Sequence, residues 1–378
     1  MIIVRTPLRV SFFGGGTDHP GWYRDLGGQG AVLSTTINKY VYMTLRNLPA
    51  VFDYSYRIAW RMIEQAKTID DIQHPVVREV LRNYGRTDDP GFEISYNADL
   101  PARSGLGSSS AFTVAALHAL FRHQGRPVNK TILTNEAIRV EQEFLQEPVG
   151  SQDQTAVAHG GLNRIDFCGE NGVSVTPLDI SMSRRHELQS HLMMFFTGFT
   201  RDAGTVEKKK IENFENRRGQ LERMYRMVAV GQEILSRESE PIDQFGALLH
   251  QAWIEKRSLA SGVSTGPIDD IYEAGLKAGA VGGKLLGAGG GGFLLFFVPP
   301  ERQQSVARAV CSISGDGRSA PVHVPFRLES EGSSVVLFQP ELTSNYEPAV
   351  VERPYANSAS QGGSIYPGGL IGSTRLAV

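Results

Sequence analysis

The sequence predicts a mixed α+β protein of two domains with a low-complexity tail, and three observations predict it. The chain has 378 residues, long for one hydrophobic core. Its 41% hydrophobic and 21% charged residues are an ordinary globular composition, able to bury a sizeable core. Strand-like and helix-like segments follow one another up to about residue 340, where periodicity ends. The expected divisions are 1–185, 186–340 and a tail of 341–378.

Taken in order, Met1–Val4 and Leu8–Phe13 read as short strands divided by Thr6-Pro7, followed by the loop GGGTD, Gly14 to Asp18. The β-branched and aromatic AVLSTTINKYVYMTL predicts a strand or a hairpin. FEISYNADL (Phe92 to Leu100) alternates with period two and leads into PARSGLGSSSAF (Pro101 to Phe112). The next run, AFTVAALHALF, is apolar nearly all round and predicts a buried helix. TNEAIRVEQEFL is a second helix, with Thr134 or Asn135 as its cap. GGLNRIDF and VSVTPL pair as a closing hairpin, and HLMMFFTGFT opens the second domain. Ile211, Phe214, Leu221, Met224 and Val228 keep helical spacing. The basic residues there alternate with Glu207, Glu212, Glu215 and Glu222, which marks a solvated helix face rather than a nucleic-acid patch. PIDDIYEAGLKAG is a further helix with Pro267 in its first turn. The Gly/Ser/Pro-rich stretch NSASQGGSIYPGGLIGS reads as a flexible or loosely docked tail.

Charge and cysteine content remove several function classes. A net charge of -2 and a pI near 6.5 give no footprint for nucleic acid or an acidic membrane. Cys168 and Cys311 are too few for a disulfide scaffold and point to a reducing compartment. The start, MIIVRTPLRVSFF, lacks the order of a signal peptide, and the apolar run FLLFFV is too short to span a bilayer. A cytoplasmic location is the expectation.

Four tempting motifs fail on context. Gly287, Gly289 and Gly292 spell G-x-G-x-x-G, but a strand ended by Pro299 follows where a dinucleotide site needs a helix. GVSTG would make Ser264 a hydrolase nucleophile, yet LLHQAWIEKRSLAS before it reads as helix, not strand. His186 and His191 are five apart and leave one helical face, which spoils a zinc site. Ser110 is followed by Ala111 and not by a Walker lysine motif.

Three segments carry chemistry. PARSGLGSSSAF places a Gly/Ser loop between a strand and a buried helix, where free first-turn amides and the helix dipole favour an anion. The serine hydroxyls can bond phosphate oxygens or a magnesium ion; the plain alternative is a capped helix start. EQEFLQEPVGSQDQ supplies carboxylates, Glu141 on a helix and Asp153 in the loop after Pro148. TPLRVSFFGGGTDHP puts Arg9 on a strand and Thr17-Asp18 at the close of a glycine turn. Each residue alone reads as a solvated or turn position.

Together and in order, the three segments resemble the GHMP kinase family. PARSGLGSSSAF resembles its phosphate loop, TPLRVSFFGGGTD its N-terminal motif ending in Thr-Asp, and GGKLLGAGGGGFLLFF its C-terminal glycine-rich motif. The resemblance implies a ribosomal-S5-like N-terminal domain, a ferredoxin-like C-terminal domain and a site between them. It implies ATP and Mg²⁺ as cofactors, with phosphates on Gly105, Leu106, Gly107, Ser108, Ser109 and Ser110. Asp153 matches the base or acceptor-orienting residue, Arg9 its basic partner, Glu141 the Mg²⁺ carboxylate, and Ser108 or Ser109 the Mg²⁺ serine. Thr17, Asp18, Gly289 and Gly290 match the acceptor side. Gly15 and Gly16 replace the Glu-His of galactokinases and imply a larger acceptor pocket. Within the family, GGGTD, EPVGSQDQ, GGLNRIDF and FFTGFTR look most like the kinases acting on C1 of D-glycero-D-manno-heptose 7-phosphate. Arg201 is then the expected contact of the sugar phosphate. An eight-carbon sugar phosphate kinase or a galactokinase- or fucokinase-like enzyme would look similar. The remote alternatives are a non-catalytic sugar-binding relative and the Ser264 hydrolase. A homodimer is left open.

Overall fold

Strand β1 (Ile2–Phe13) runs unbroken through Thr6-Pro7 instead of dividing there. Proline has no N–H for the ladder, and the protein answers with a register shift between Pro7 and Leu8 rather than with a chain break. The neighbouring β2 (Gly30–Asn47) is a single 18-residue strand, not a hairpin. It pairs with β1 along one edge. Along its other edge it meets β6 (Leu162–Phe167), β12 (Leu328–Glu329) and β5 (Phe92–Ala98) in turn. The computed structural model describes residues 1–339 except 50, 88, 90, 170–171, 201–210 and 314–318, so Arg201 and the tail from 341 lie outside the described residues.

Among the described residues the first sheet has nine strands in the order β13-β1-β2-β5-β3-β4, with β6 and β12 attached beside β2 and β7 beside β6. Here β3 is Tyr56–Ala59, β4 is Ile63–Ala66, β7 is Val173–Pro177 and β13 is Ser334–Phe338. β6 and β7 form the hairpin that the sequence indicates. β2 alternates in its second half, burying Val41, Met43 and Leu45, and is covered on both faces in its first half. The covering helices are α2 (Ser108–His123) and α4 (Gln152–His159), together with α6 (Arg218–Ser236). α2 buries Ala111 to Leu117 without a break, as an all-apolar helix must.

The remaining helices are α1 (Pro75–Tyr84), α3 (Lys130–Arg139), α5 (Met182–His191), α7 (Asp243–Arg257), α8 (Gly266–Lys277) and α9 (Gln303–Cys311). α3 starts earlier than the sequence suggests. Asn129 caps it by accepting from the Ile132 amide, and Thr134 is a buried interior residue. After α3 the chain widens into a π turn, Val140–Phe144.

The second sheet is antiparallel in the order β11-β8-β10-β9. Its strands are β8 (Leu192–Phe196), β9 (Gly282–Leu285), β10 (Phe293–Phe297) and β11 (Val322–His323). β10 is buried throughout, which explains its unrelieved FLLFF. Phe12 and Phe13, at the end of β1, meet Phe245 of α7 edge-on at 5.2 and 5.0 Å, so both sheets share one core. The boundary drawn at 185 falls inside α5, and β12 and β13 return from the second sheet to the first.

Burial pushes the imidazoles of His74 and His118 down to about 4. His74 lies between Trp60 and Phe112, and His118 bonds Ser333. An exposed imidazole titrates near 6.5, so the unfolded chain binds more protons between pH 6.5 and 4. The stability that neutral rings contribute is complete above 6.5 and is lost as pH falls toward 4. Acidification across that window is expected to lower the melting temperature, with each ring contributing at most about 3 kcal/mol. His118→Gln should flatten the slope; an unchanged slope would show that this ring does not titrate with unfolding.

Candidate active site

Arg9 points from β1 into the space beneath the N-terminus of α2 and is 3% exposed. Its Nε and Nη2 each donate at 2.8 Å to Asp153, one to Oδ1 and the other to Oδ2. Its Nη1 donates to the Gly105 carbonyl at 2.6 Å, and its backbone N–H donates to the Leu106 carbonyl at 3.0 Å. One side chain thus ties the carboxylate of α4 to the loop before α2. Such forked pairing fixes orientation as well as charge.

Gly107 caps α2 at φ 74° and offers no side chain to the first turn. The amides of Ser108, Ser109 and Ser110 therefore have no intrahelical acceptor, which makes this end of α2 an anion site. A Cβ on Gly107 would press on Arg9 Cγ at 3.1 Å and Asp153 Oδ2 at 3.4 Å. Gly105, at φ 83°, packs against the second glycine-rich loop, where its Cβ would meet the Leu286 carbonyl oxygen at 2.5 Å. Gly287 returns the contact: its own Cβ would lie 2.3 Å from Gly105 Cα. The two loops touch backbone to backbone, which only glycine permits.

Asp153 stands in the first turn of α4, where the helix dipole favours a carboxylate. The loop ahead of it is stitched to the GGGTD turn. Asp18 accepts from the Gly16 N–H at 2.8 Å and, more weakly, from the Gln152 N–H at 3.4 Å. The Ser151 N–H donates to the Asp18 carbonyl at 2.9 Å. Gly150 leaves room for this carboxylate, since a Cβ there would sit 1.9 Å from Asp18 Oδ2. Thr17, fully buried, bonds Gly14 and Ala31 of the backbone through its hydroxyl. The geometry makes Thr17 a closure of the turn rather than a substrate contact, because its hydroxyl is already taken up by the Gly14 and Ala31 backbone.

Glu141 lies in the π turn and is 1% exposed. Ser110 donates to its Oε2 at 2.9 Å, and the Gln154 amide donates to the same oxygen. Burial pushes the carboxyl up to about 7, opposed by the Thr113 and Ser110 hydroxyls and by Gln154. Its Oε1 is buried and has no hydrogen-bond partner among the described residues. An orphaned carboxylate oxygen beside a hydroxyl fits a divalent cation that keeps waters and phosphate oxygens as its other ligands. The hydroxyl beside Glu141 is Ser110's. Ser109 faces solvent, and Ser108, though buried, does not bond Glu141; the bond comes from Ser110.

Of the acceptor-side glycines, Gly289 and Gly290 are buried against the Val263 segment. A Cβ on Gly289 would meet Val263 Cα at 2.7 Å, and Gly290 N–H bonds the Val263 carbonyl. Close packing explains them, and Gly287 and Gly292 are the glycines that meet the phosphate loop. Two buried lysines escape sequence reasoning, although Lys284 stands inside the glycine-rich motif GGKLLGAGGGG. Lys256 donates to the Leu285 and Gly287 carbonyls, and Lys284 donates to the Phe12 carbonyl at 2.7 Å, pinning the glycine loop and the end of β1. Ser264 follows helix α7, as expected, and donates to Asp269 at 2.6 Å, so it serves the start of α8 and is no nucleophile elbow.

Comparison with known proteins identifies the family and the fold. The family described as GHMP kinases N terminal domain matches residues 71–161, and GHMP kinases C terminal matches residues 235–315. A D-glycero-alpha-D-manno-heptose 7-phosphate kinase of Campylobacter jejuni is 30% identical over 301 residues, covering 76% of this chain and 86% of that protein. A galactokinase of Pyrococcus furiosus is 24% identical, covering 82% of this chain and 92% of that protein. The crystal structure of a D-glycero-D-manno-heptose 1-phosphate kinase from Bacteriodes thetaiotaomicron superposes with a TM-score of 0.72 at 23% identity. It covers 90% of this chain and all of that one, and it speaks for the fold alone.

Proposed function

The chain belongs to the GHMP kinase family of ATP-dependent phosphotransferases, and from that premise we propose that it phosphorylates the C1 hydroxyl of a sugar phosphate, D-glycero-D-manno-heptose 7-phosphate. The observation that carries the reading is the forked Arg9–Asp153 pair beneath the open N-terminus of α2. The first-turn amides of α2 receive the ATP phosphates, with Gly105 and Gly107 allowing close approach. Asp153 faces the acceptor hydroxyl; each of its oxygens keeps a lone pair beyond the bond from Arg9. The acceptor oxygen forms a bond to the γ-phosphorus as the bridging oxygen to the β-phosphorus departs with ADP. The hydroxyl proton is oriented and received by Asp153. A magnesium ion held by Glu141 and Ser110 would neutralise phosphate charge. Positioning and charge stabilisation then carry the rate, since this transfer asks little covalent chemistry of the protein.

The choice of sugar is supported by the Campylobacter jejuni relative and by Gly15, which leaves open space where a larger side chain would stand. We assign the sugar's own phosphate to Arg201, which follows β8 in sequence, because a buried phosphate requires a cationic partner. A panel of sugars in a coupled ADP-release assay is expected to give the highest kcat/KM with the heptose 7-phosphate. Arg201→Ala should raise KM for that sugar and spare KM for ATP. Faster phosphorylation of galactose, of free mannoheptose or of an eight-carbon sugar phosphate would overturn the assignment.

A further inference from the structure

Gly14 and Gly16 adopt φ values of 84° and 100°, which residues with side chains avoid, so backbone shape alone explains them. Gly16 gives no extra room either, since a Cβ there would touch Leu221 at 3.5 Å and Leu259 at 3.8 Å. Gly15 differs. Its φ lies outside the left-handed region, and a Cβ would meet nothing nearer than 3.9 Å, where Ser11 Oγ and Gln152 Nε2 stand. The missing side chain leaves a notch, and the notch has polar walls.

One wall is unsatisfied. Ser11 is 6% exposed, and its Oγ has no hydrogen-bond partner among the described residues. The atom of Gln152 that lines the gap is Nε2, an N–H donor. Buried polar atoms ordinarily find partners, and an orphaned hydroxyl facing this gap opposite an amide donor points to a polar occupant. Ser11 stands two residues beyond Arg9 and so shares its face of β1, while Gln152 directly precedes Asp153. The notch therefore adjoins the reacting position.

We propose that Ser11 and Gln152, across the gap left by Gly15, form a subsite for a sugar ring hydroxyl neighbouring the one that is phosphorylated. The hydroxyl accepts from Gln152 Nε2–H and donates to Ser11 Oγ. The proposal rests on the sugar-kinase reading of Asp153 and deepens it. Thr17 bonds the backbone, so discrimination among sugars passes to Ser11 and Gln152. Filling or emptying this subsite changes sugar recognition and leaves the ATP site alone.

The test uses Ser11→Ala and Gly15→Ala with the best sugar of the panel and its deoxy analogues, each lacking one ring hydroxyl. Both variants are expected to raise KM for the sugar about tenfold, one hydrogen bond's discrimination, and to keep KM for ATP within twofold. For one deoxy analogue the difference between wild type and Ser11→Ala should vanish, which identifies the hydroxyl. Ser34 faces Ser11 across the ladder and is also unpartnered. If the two serines merely bond each other, Ser11→Ala lowers the melting temperature without moving any sugar KM, and the proposal falls. Equal losses on every deoxy analogue overturn it too. An active wild type with unmoved sugar KM in both variants defeats this proposal alone, whereas a wild type that phosphorylates no sugar defeats the sugar-kinase reading with it.

Discussion

Asp153→Asn is expected to lower kcat by at least about a hundredfold, the scale for losing a general base. The substitution preserves size and takes away three things at once. A carboxamide has one acceptor oxygen where the carboxylate has two, so its NH₂ group would face an Arg9 donor that now bonds Oδ1 or Oδ2. The acceptor hydroxyl loses its anionic partner. The first turn of α4 loses the negative charge that suits its dipole. The α2 amides and the Glu141–Ser110 pair make no contact through Asp153, so KM for ATP should stay within twofold. Steady-state kinetics on the purified variant decide it: near-normal turnover would remove Asp153 from its assigned role.

Much of the site was legible because its parts are local. The anion site needs only a strand, a Gly/Ser loop and an apolar helix in succession, and all three are visible in FEISYNADLPARSGLGSSSAF. Asp153 and Glu141 could be named from one short segment. What a sequence does not carry is which way a helical side chain turns: Ser110 faces Glu141 while Ser109 faces solvent, one residue apart in the same turn. The partnership of Lys256 with the glycine loop spans 29 residues to Leu285 and 31 to Gly287, and that of Lys284 with Phe12 spans 272, so neither leaves a local signature. Glycines raise a related difficulty. Gly15, Gly16, Gly289 and Gly290 look alike as letters, yet Gly15 leaves open space and Gly289 packs against backbone. Strand continuity through Pro7 was hidden for a different reason: a proline ordinarily ends a strand, and here β2 absorbs the fault by a register shift.

The second large effect is expected at Arg9, and its pattern should differ from that of Asp153→Asn. Arg9→Met keeps the apolar stem but leaves three acceptors, both Asp153 oxygens and the Gly105 carbonyl, without their donor. Removing one partner of a buried pair costs about 3–5 kcal/mol. Asp153 is 26% exposed on its side chain, so water softens that loss, and roughly 2 kcal/mol is the better expectation. The melting temperature should fall by a few degrees. Turnover should fall about a hundredfold, because Asp153 is no longer held in orientation. KM for ATP should rise as well, since the same guanidinium anchors the Gly105 carbonyl and so the loop before the phosphate site. Arg9→Lys should recover part of the stability and little of the turnover: an ammonium is a point charge and cannot engage both carboxylate oxygens and a carbonyl in one plane. If Arg9→Met leaves both KM for ATP and the melting temperature unchanged, Arg9 neither holds the loop before α2 in place nor stabilises the protein through its pairing with Asp153.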